Sequence, residues 1–271
     1  MPDTTPPAAA STTTRSNVRT TAAVSSAKSE QRKLHFVLQG KGGVGKTFVS
    51  LLLAQAIAGR GEPVTCIDTD PVNASLSSLS SMNPERVSIF QGKKVDTRAL
   101  DLFVERLLSD DSHFVVDNGA SSFVPVSQYL LENDVVGMML DEGRQPVIHT
   151  VVTGGPAMLD TIKGLTSLLS DFPASVRLVV WLNEFFGPIV NAQGKPFEDL
   201  PAYSDSKERI SALVRLPMVS EESTYDLRDM MAKRMTFDQA LARDNTGILR
   251  VQKSRLFRFK EAVWPAIERV I

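Results

Sequence analysis

The chain has 271 residues, 42% of them hydrophobic and 23% charged, with a formal net charge of −1. That length suits one large α/β domain, and the composition is that of a globular chain able to bury a core. The near-neutral balance excludes the whole molecule as an electrostatic magnet for nucleic acid or anionic lipid, so any such contact needs a local patch. The one cysteine, Cys66, allows no intramolecular disulfide and no paired-cysteine cluster, which fits a reducing cytoplasm. No apolar run reaches the ~18 residues of a membrane-spanning helix.

Residues 1–32 are rich in Thr, Ser, Ala and Pro and almost free of large apolar side chains. Such a segment buries too little surface to offset its ordering entropy, and it reads as a disordered tail without a secretory apolar core. Residues 33–271 read as a single domain. Leu34–Leu38 is a buried strand. Phe48–Ala58 is a helix stopped by Gly59 and Gly61. Val64–Ile67 is a second strand and Val87–Phe90 a short third. Thr97–Leu108 carries Leu100, Phe103, Val104, Leu107 and Leu108 at helical spacing. Phe114–Val116 is a strand ending in Asp117, and Val147–Val152 another. The latter runs through Gly154-Gly155-Pro156 into a helix ending near Leu169, with proline in its first turn.

Val176–Leu182 is a strong strand, Phe186–Ala202 a long surface loop, and Ile210–Leu216 a strand stopped by Pro217. From about Glu222 the chain reads as two or three helical pieces. His35, His113 and His149 each lie in an apolar strand run without metal-ligand spacing, and they read as structural. Strands alternating with helices predict a three-layer, doubly wound, mostly parallel sheet covered on both faces.

Gly40-Lys41-Gly42-Gly43-Val44-Gly45-Lys46-Thr47 matches the phosphate-binding pattern G-x-x-x-x-G-K-[ST], between a strand and a helix as the pattern requires. Glycines let the backbone curl and bring N–H groups to phosphate oxygens. The helix that follows aims its positive dipole end at the same anions. Lys46 then reaches the β- and γ-phosphates, and the Thr47 hydroxyl becomes a magnesium ligand. Asp68-Thr69-Asp70-Pro71 follows the second strand. Aspartates at i and i+2 share a direction if the strand continues, so that one supports magnesium while the other orients water. His113–Asp117 has the apolar-run-then-Asp form of the strand that supplies a magnesium-shell carboxylate, here Asp117.

Lys41 is more than a phosphate loop needs. GKGGVGKT resembles the deviant Walker A motif of the MinD/ParA group of P-loop ATPases. That resemblance implies bound ATP and magnesium, slow hydrolysis, and an ATP-dependent homodimer in which Lys41 acts across the interface. It also implies that Asp70 positions the hydrolytic water, with Asn73 nearby, and that Asp68 lies near magnesium. Asn183 would bond adenine, with Pro217 flanking the base. Asn118-Gly119-Ala120 departs from the proline-containing switch II of MinD, which leaves γ-phosphate sensing open.

Further runs extend the likeness: Leu38–Thr47, Cys66–Ala74, Asp117–Pro125, Val147–Gly155, Val180–Asn183 and Thr236–Leu241. In this order they resemble a ParA-related family of plasmid conjugal transfer. The implied setting is the bacterial cytoplasm, with conjugation or partition proteins as partners. A rival reading is a nucleotide-binding adaptor in DNA transfer or plasmid partition that does not hydrolyse ATP. A small-molecule kinase or synthetase on a related fold is disfavoured by GKGGVGKT and the DTDP run. An iron–sulfur carrier lacks the cysteines it would need.

Near the C-terminus, Arg250, Lys253, Arg255, Arg258 and Lys260 surround an apolar face of Ile248, Phe259, Val263, Ile267 and Val270. The face reads as packed on the domain with a solvated basic rim, the alternative being contact with a DNA backbone. Glu261, Glu268 and a helix-breaking Pro265 argue against membrane docking.

Overall fold

The computed structural model describes residues 1–3, 32–70, 76, 82–92 and 94–271. Contacts group residues 31–271 into one unit and residues 1–30 into another. Residues 4–31 of the expected tail, and Asn73, lie outside the described residues.

In chain order, β1 (Lys33–Val37) leads through the glycine loop into α1 (Lys46–Gly59) and β2 (Val64–Asp68). Next come β3 (Glu85–Arg86), the pair β4 (Phe90–Gln91) and β5 (Lys94–Val95), and α2 (Thr97–Ser109). β6 (His113–Asp117), α3 (Phe123–Glu132), α4 (Val135–Asp141), β7 (Gln145–Thr153) and α5 (Met158–Asp171) follow. β8 (Arg177–Asn183), α6 (Pro201–Ser204), β9 (Ile210–Leu216), α7 (Glu221–Ala232), α8 (Phe237–Leu241) and α9 (Arg250–Ile267) complete the chain.

Among the described residues the main sheet has seven strands in the order β3-β2-β6-β1-β7-β8-β9, and every pairing in it is parallel. Strand alternation sends side chains to two separate cores. Leu34, Phe36, Phe114, Val116, Ile148, Val180 and Leu182 face α2–α5, while Val37, Val115, Val151, Val179 and Trp181 face α1 and α7–α9. Three layers result, as expected. Because all strands point one way, the ends of β1, β2, β6, β8 and β9 share one edge. β1 lies centrally with β6 and β7 at its sides, so the loop after β1 opens where the winding reverses, the ligand crevice of such sheets.

Some expected elements differ. Val87–Phe90 is not a strand: Val87 N–H makes one bond to Asp68 O (3.0 Å), after which the chain leaves the sheet edge and Ile89 O accepts from Asp96 N–H (2.9 Å). Residues 186–202 are no bare surface loop. Ile189, Phe197 and Leu200 are buried, Val190 and Pro196 form a bridge, and α6 closes the segment. Helices α3 and α4 had no counterpart in the sequence reading.

Pro265 does not break α9, which runs on to Ile267. The proline lies in the last turn of an 18-residue helix, where one lost backbone bond is tolerated while Val263, Ile267 and Val270 hold the helix in the core. The apolar face of α9 packs on α1, α7, α8 and β9, as the packed-face reading expected. Among the described residues no helix is long and apolar enough to cross a membrane.

Candidate nucleotide site

The loop after β1 ends in Gly45, whose φ of +102° caps α1 in a conformation that glycine reaches without strain. A side chain there would also collide with Asn183, whose Nδ2 lies 2.9 Å from the place a Cβ would take. Gly43 has φ +75°. The loop thus curls over the start of α1, and the helix's unpaired N–H groups face the crevice.

The expected phosphate and metal residues converge. Lys46 Nζ reaches back to Lys41 O (2.9 Å). Burial lowers its pKa, opposed by the carboxylates of Asp117 and Asp70. Asp68 and Asp117 are register partners on β2 and β6, so both carboxylates stand at one edge. Burial pushes Asp117 up to about 6 and Asp68 adds to the push, while the Thr47 and Ser50 hydroxyls hold its charged form. Ser50 Oγ donates to Asp117 Oδ1 at 3.0 Å. Ser50 belongs to no motif; its place on α1 one turn after Thr47 is the only sequence signal for it.

Asp70 is placed differently from the strand argument. β2 ends at Asp68, and Asp70 N–H donates to Asp68 Oδ1 (3.0 Å), so a turn rather than strand alternation sets the second aspartate. Lys41, expected to act across a dimer, bonds within its own chain: its Nζ lies 2.8 Å from Asp160 Oδ2 at the start of α5. Both side chains are about half exposed.

Gln39 is a second residue the sequence did not flag. Its buried amide donates to Val151 O (2.9 Å) and Thr161 O (3.1 Å), tying the loop to β7 and α5. Gly164 leaves room for it, since a Cβ there would meet Gln39 Oε1 at 2.3 Å.

On the other side of the loop lies a cavity of about 340 Å³, lined by Gly45, Phe48, Asn183, Phe185, Pro217 and Arg228 among others. Asn183 and Pro217, expected at the base, both line it. Asn183 Nδ2 donates to Val44 O (2.9 Å) and its Oδ1 accepts from Phe185 N–H (3.2 Å). The two bonds hold the amide between the glycine loop and the turn after β8. Arg228 lies over the Phe185 ring at 5.6 Å, a pair with no sequence signal.

The family described as CobQ/CobB/MinD/ParA nucleotide binding domain matches residues 35–234. Two Escherichia coli proteins, each called Protein TraL, are 46% and 45% identical over 228 residues, 83% of this chain and 94% of theirs. Among solved structures, a MinC:MinD cell division protein complex from Aquifex aeolicus aligns with a TM-score of 0.52 at 15% identity. That alignment covers 88% of this chain and 94% of the other.

Proposed function

This chain belongs to the CobQ/CobB/MinD/ParA nucleotide-binding family and is a relative of TraL, and from that premise we propose that it is a Mg-ATP-dependent dimerisation switch that hydrolyses ATP slowly. The observation that carries the reading is a convergence. Lys46, Thr47, Asp68, Asp70 and Asp117 gather at one side of the loop, and a base-sized cavity with Asn183 lies at the other.

In this reading the N–H groups of Gly40–Thr47 cradle the phosphates and Lys46 leaves Lys41 O to neutralise them. Thr47, Asp68 and Asp117 supply hard oxygen donors, which fits magnesium. Bound magnesium supplies charge neutralisation on the β- and γ-phosphate oxygens. Asp70 accepts a hydrogen bond from the attacking water and orients it. Lys41, freed from Asp160, completes the phosphate contacts of a partner copy.

In this reading, supported by the likeness to TraL, the switch works in plasmid conjugal transfer in the bacterial cytoplasm, with other transfer or partition proteins as partners. DNA contact through the basic rim is the less favoured part. Lys253 donates to Ala242 O and Asn245 O, Arg255 to Asp226 and Lys260 to Asp238, which leaves Arg250 and Arg258 exposed.

Calorimetric titration of ATP into Lys46→Ala tests the site. An affinity loss of about 10- to 100-fold is expected from deleting a charged hydrogen-bond donor, and unchanged affinity would refute the assignment. A second reading, an adaptor that binds ATP without hydrolysing it, is favoured by Asn118-Gly119 in place of the MinD-type proline. Single-turnover hydrolysis with magnesium separates the two.

A further inference from the structure

The segment after β6 (Asp117–Phe123) touches both the phosphate loop and Asp70. At one end the Phe123 ring covers Gly40, where a Cβ would lie 3.1 Å from Phe123 Cδ1. In the middle, a Cβ on Gly119 would lie 2.7 Å from Asp70 Cγ, 2.8 Å from Asp70 Oδ1 and 3.1 Å from Asp70 Cα. Gly119 has φ −61° and ψ 158°, a conformation open to any residue. The backbone therefore does not demand glycine there; the volume taken by Asp70 does.

The same segment grips Thr69 as well. Thr69 N–H donates to Asp117 O (3.0 Å), Thr69 Oγ1 lies 2.9 Å from Asn118 Oδ1, and Ser122 Oγ donates to Thr69 O (3.2 Å). Asn118 is itself buried, its Nδ2 within reach of Val37 O (3.4 Å) and Val116 O (3.3 Å). The loops after β2 and β6 are thus one stitched body, anchored on β1.

We propose that Gly119 is the positioning residue for Asp70: the Asn118-Gly119 pair replaces a MinD-type switch II by clamping Thr69 with Asn118 and opening a seat for the Asp70 carboxylate at Gly119. This rests on the reading of Asp70 as the residue that orients water. A methyl group at position 119 pushes Asp70 out of place without touching the glycine loop, so it impairs the chemical step and spares nucleotide binding. A misplacement of about 1 Å costs on the order of 100-fold in rate.

The test is single-turnover hydrolysis and fluorescent-ATP affinity on the full chain, for wild type, Gly119→Ala, Asp70→Ala, the double variant and Ser122→Ala. The proposal expects Gly119→Ala to lower the hydrolysis rate on the order of 10- to 100-fold with affinity changed by less than about 2-fold. In the Asp70→Ala background the glycine change then costs no further rate. Ser122→Ala removes only the hydroxyl bond to Thr69 O, adds no volume, and gives a smaller loss of the same kind if Gly119→Ala fails to fold.

Wild-type rates in both Gly119→Ala and Ser122→Ala overturn the proposal. So does affinity that falls in step with rate, or a full extra loss in the double variant. A wild type that binds ATP but never hydrolyses it overturns the water-orienting reading itself, a failure seen before any variant is compared.

Discussion

His149 is a fully buried base whose neighbours are a second imidazole and an indole. Trp181 Nε1–H donates to its Nδ1 (2.9 Å), so its own proton lies on Nε2, 2.9 Å from His35 Nδ1. His35 then carries its proton on Nε2, which has no partner among the described residues. Burial drives His149 down to about 3, with Arg177 adding to the fall. His35 is driven well below 6.5, first by burial and then by His149 and His113. The folded state holds both rings neutral, while the unfolded chain takes up protons below about pH 6.5. Stability therefore falls as pH drops from 6.5 toward 3, by up to about 1.4 kcal/mol per pH unit through His149, and His35 acts in the same direction.

Urea unfolding at pH 7 and pH 5 checks this at His149→Gln. The variant should lose about 2 kcal/mol less than wild type over that interval. Equal losses would clear His149 as a source of acid sensitivity. GKGGVGKT was legible because phosphate binding dictates its residue types one by one. The grip of Asp160 on Lys41 and of Phe185 on Arg228 was not, because partners so far apart in the chain share no local pattern.

At the scale of elements, the glycines after β7 hold two loops together. A Cβ on Gly154 would lie 2.2 Å from Gly187 O and 2.7 Å from Pro188 O, both backbone atoms that cannot rotate away. Gly155 has φ +68° with Phe186 O at 2.8 Å from its Cβ position. This close approach sets the Glu184–Phe186 turn that carries Phe185 to the cavity. Gly154→Ala should cost about 1–3 kcal/mol, lowering the melting midpoint by roughly 2–10 °C. Gly59→Ala, with open space around it and no positive φ, serves as the control that should not destabilise. Equal midpoints for the two variants would contradict the packing argument.

Long strands were legible because burial on both faces makes them continuous apolar runs. Helices α3 and α4 were not, because Pro125 and Gly137 punctuate them. Pro125 falls in a first turn that tolerates it. Gly137 makes room for the Asp134 carboxylate at 2.7 Å.

At the scale of the whole molecule, the ion pair of Lys41 with Asp160 poses a question of assembly. An exposed pair of this kind is weakened by solvent and salt, so it does not keep Lys41 from a triphosphate. If Lys41 serves a partner copy, mass in solution by light scattering should double with Mg-ATP, stay single with Mg-ADP, and remain double for longer in Asp70→Ala. Lys41→Ala should bind ATP and stay single. Asp160→Asn frees the lysine at small cost, so its ATP-dependent assembly should appear at a protein concentration lower by no more than about 5-fold. A single mass in every state, with ATP binding shown by titration, would remove the trans-acting lysine and leave Lys41–Asp160 a surface pair. The chain would then fit the second reading, an adaptor that binds ATP without the dimer switch.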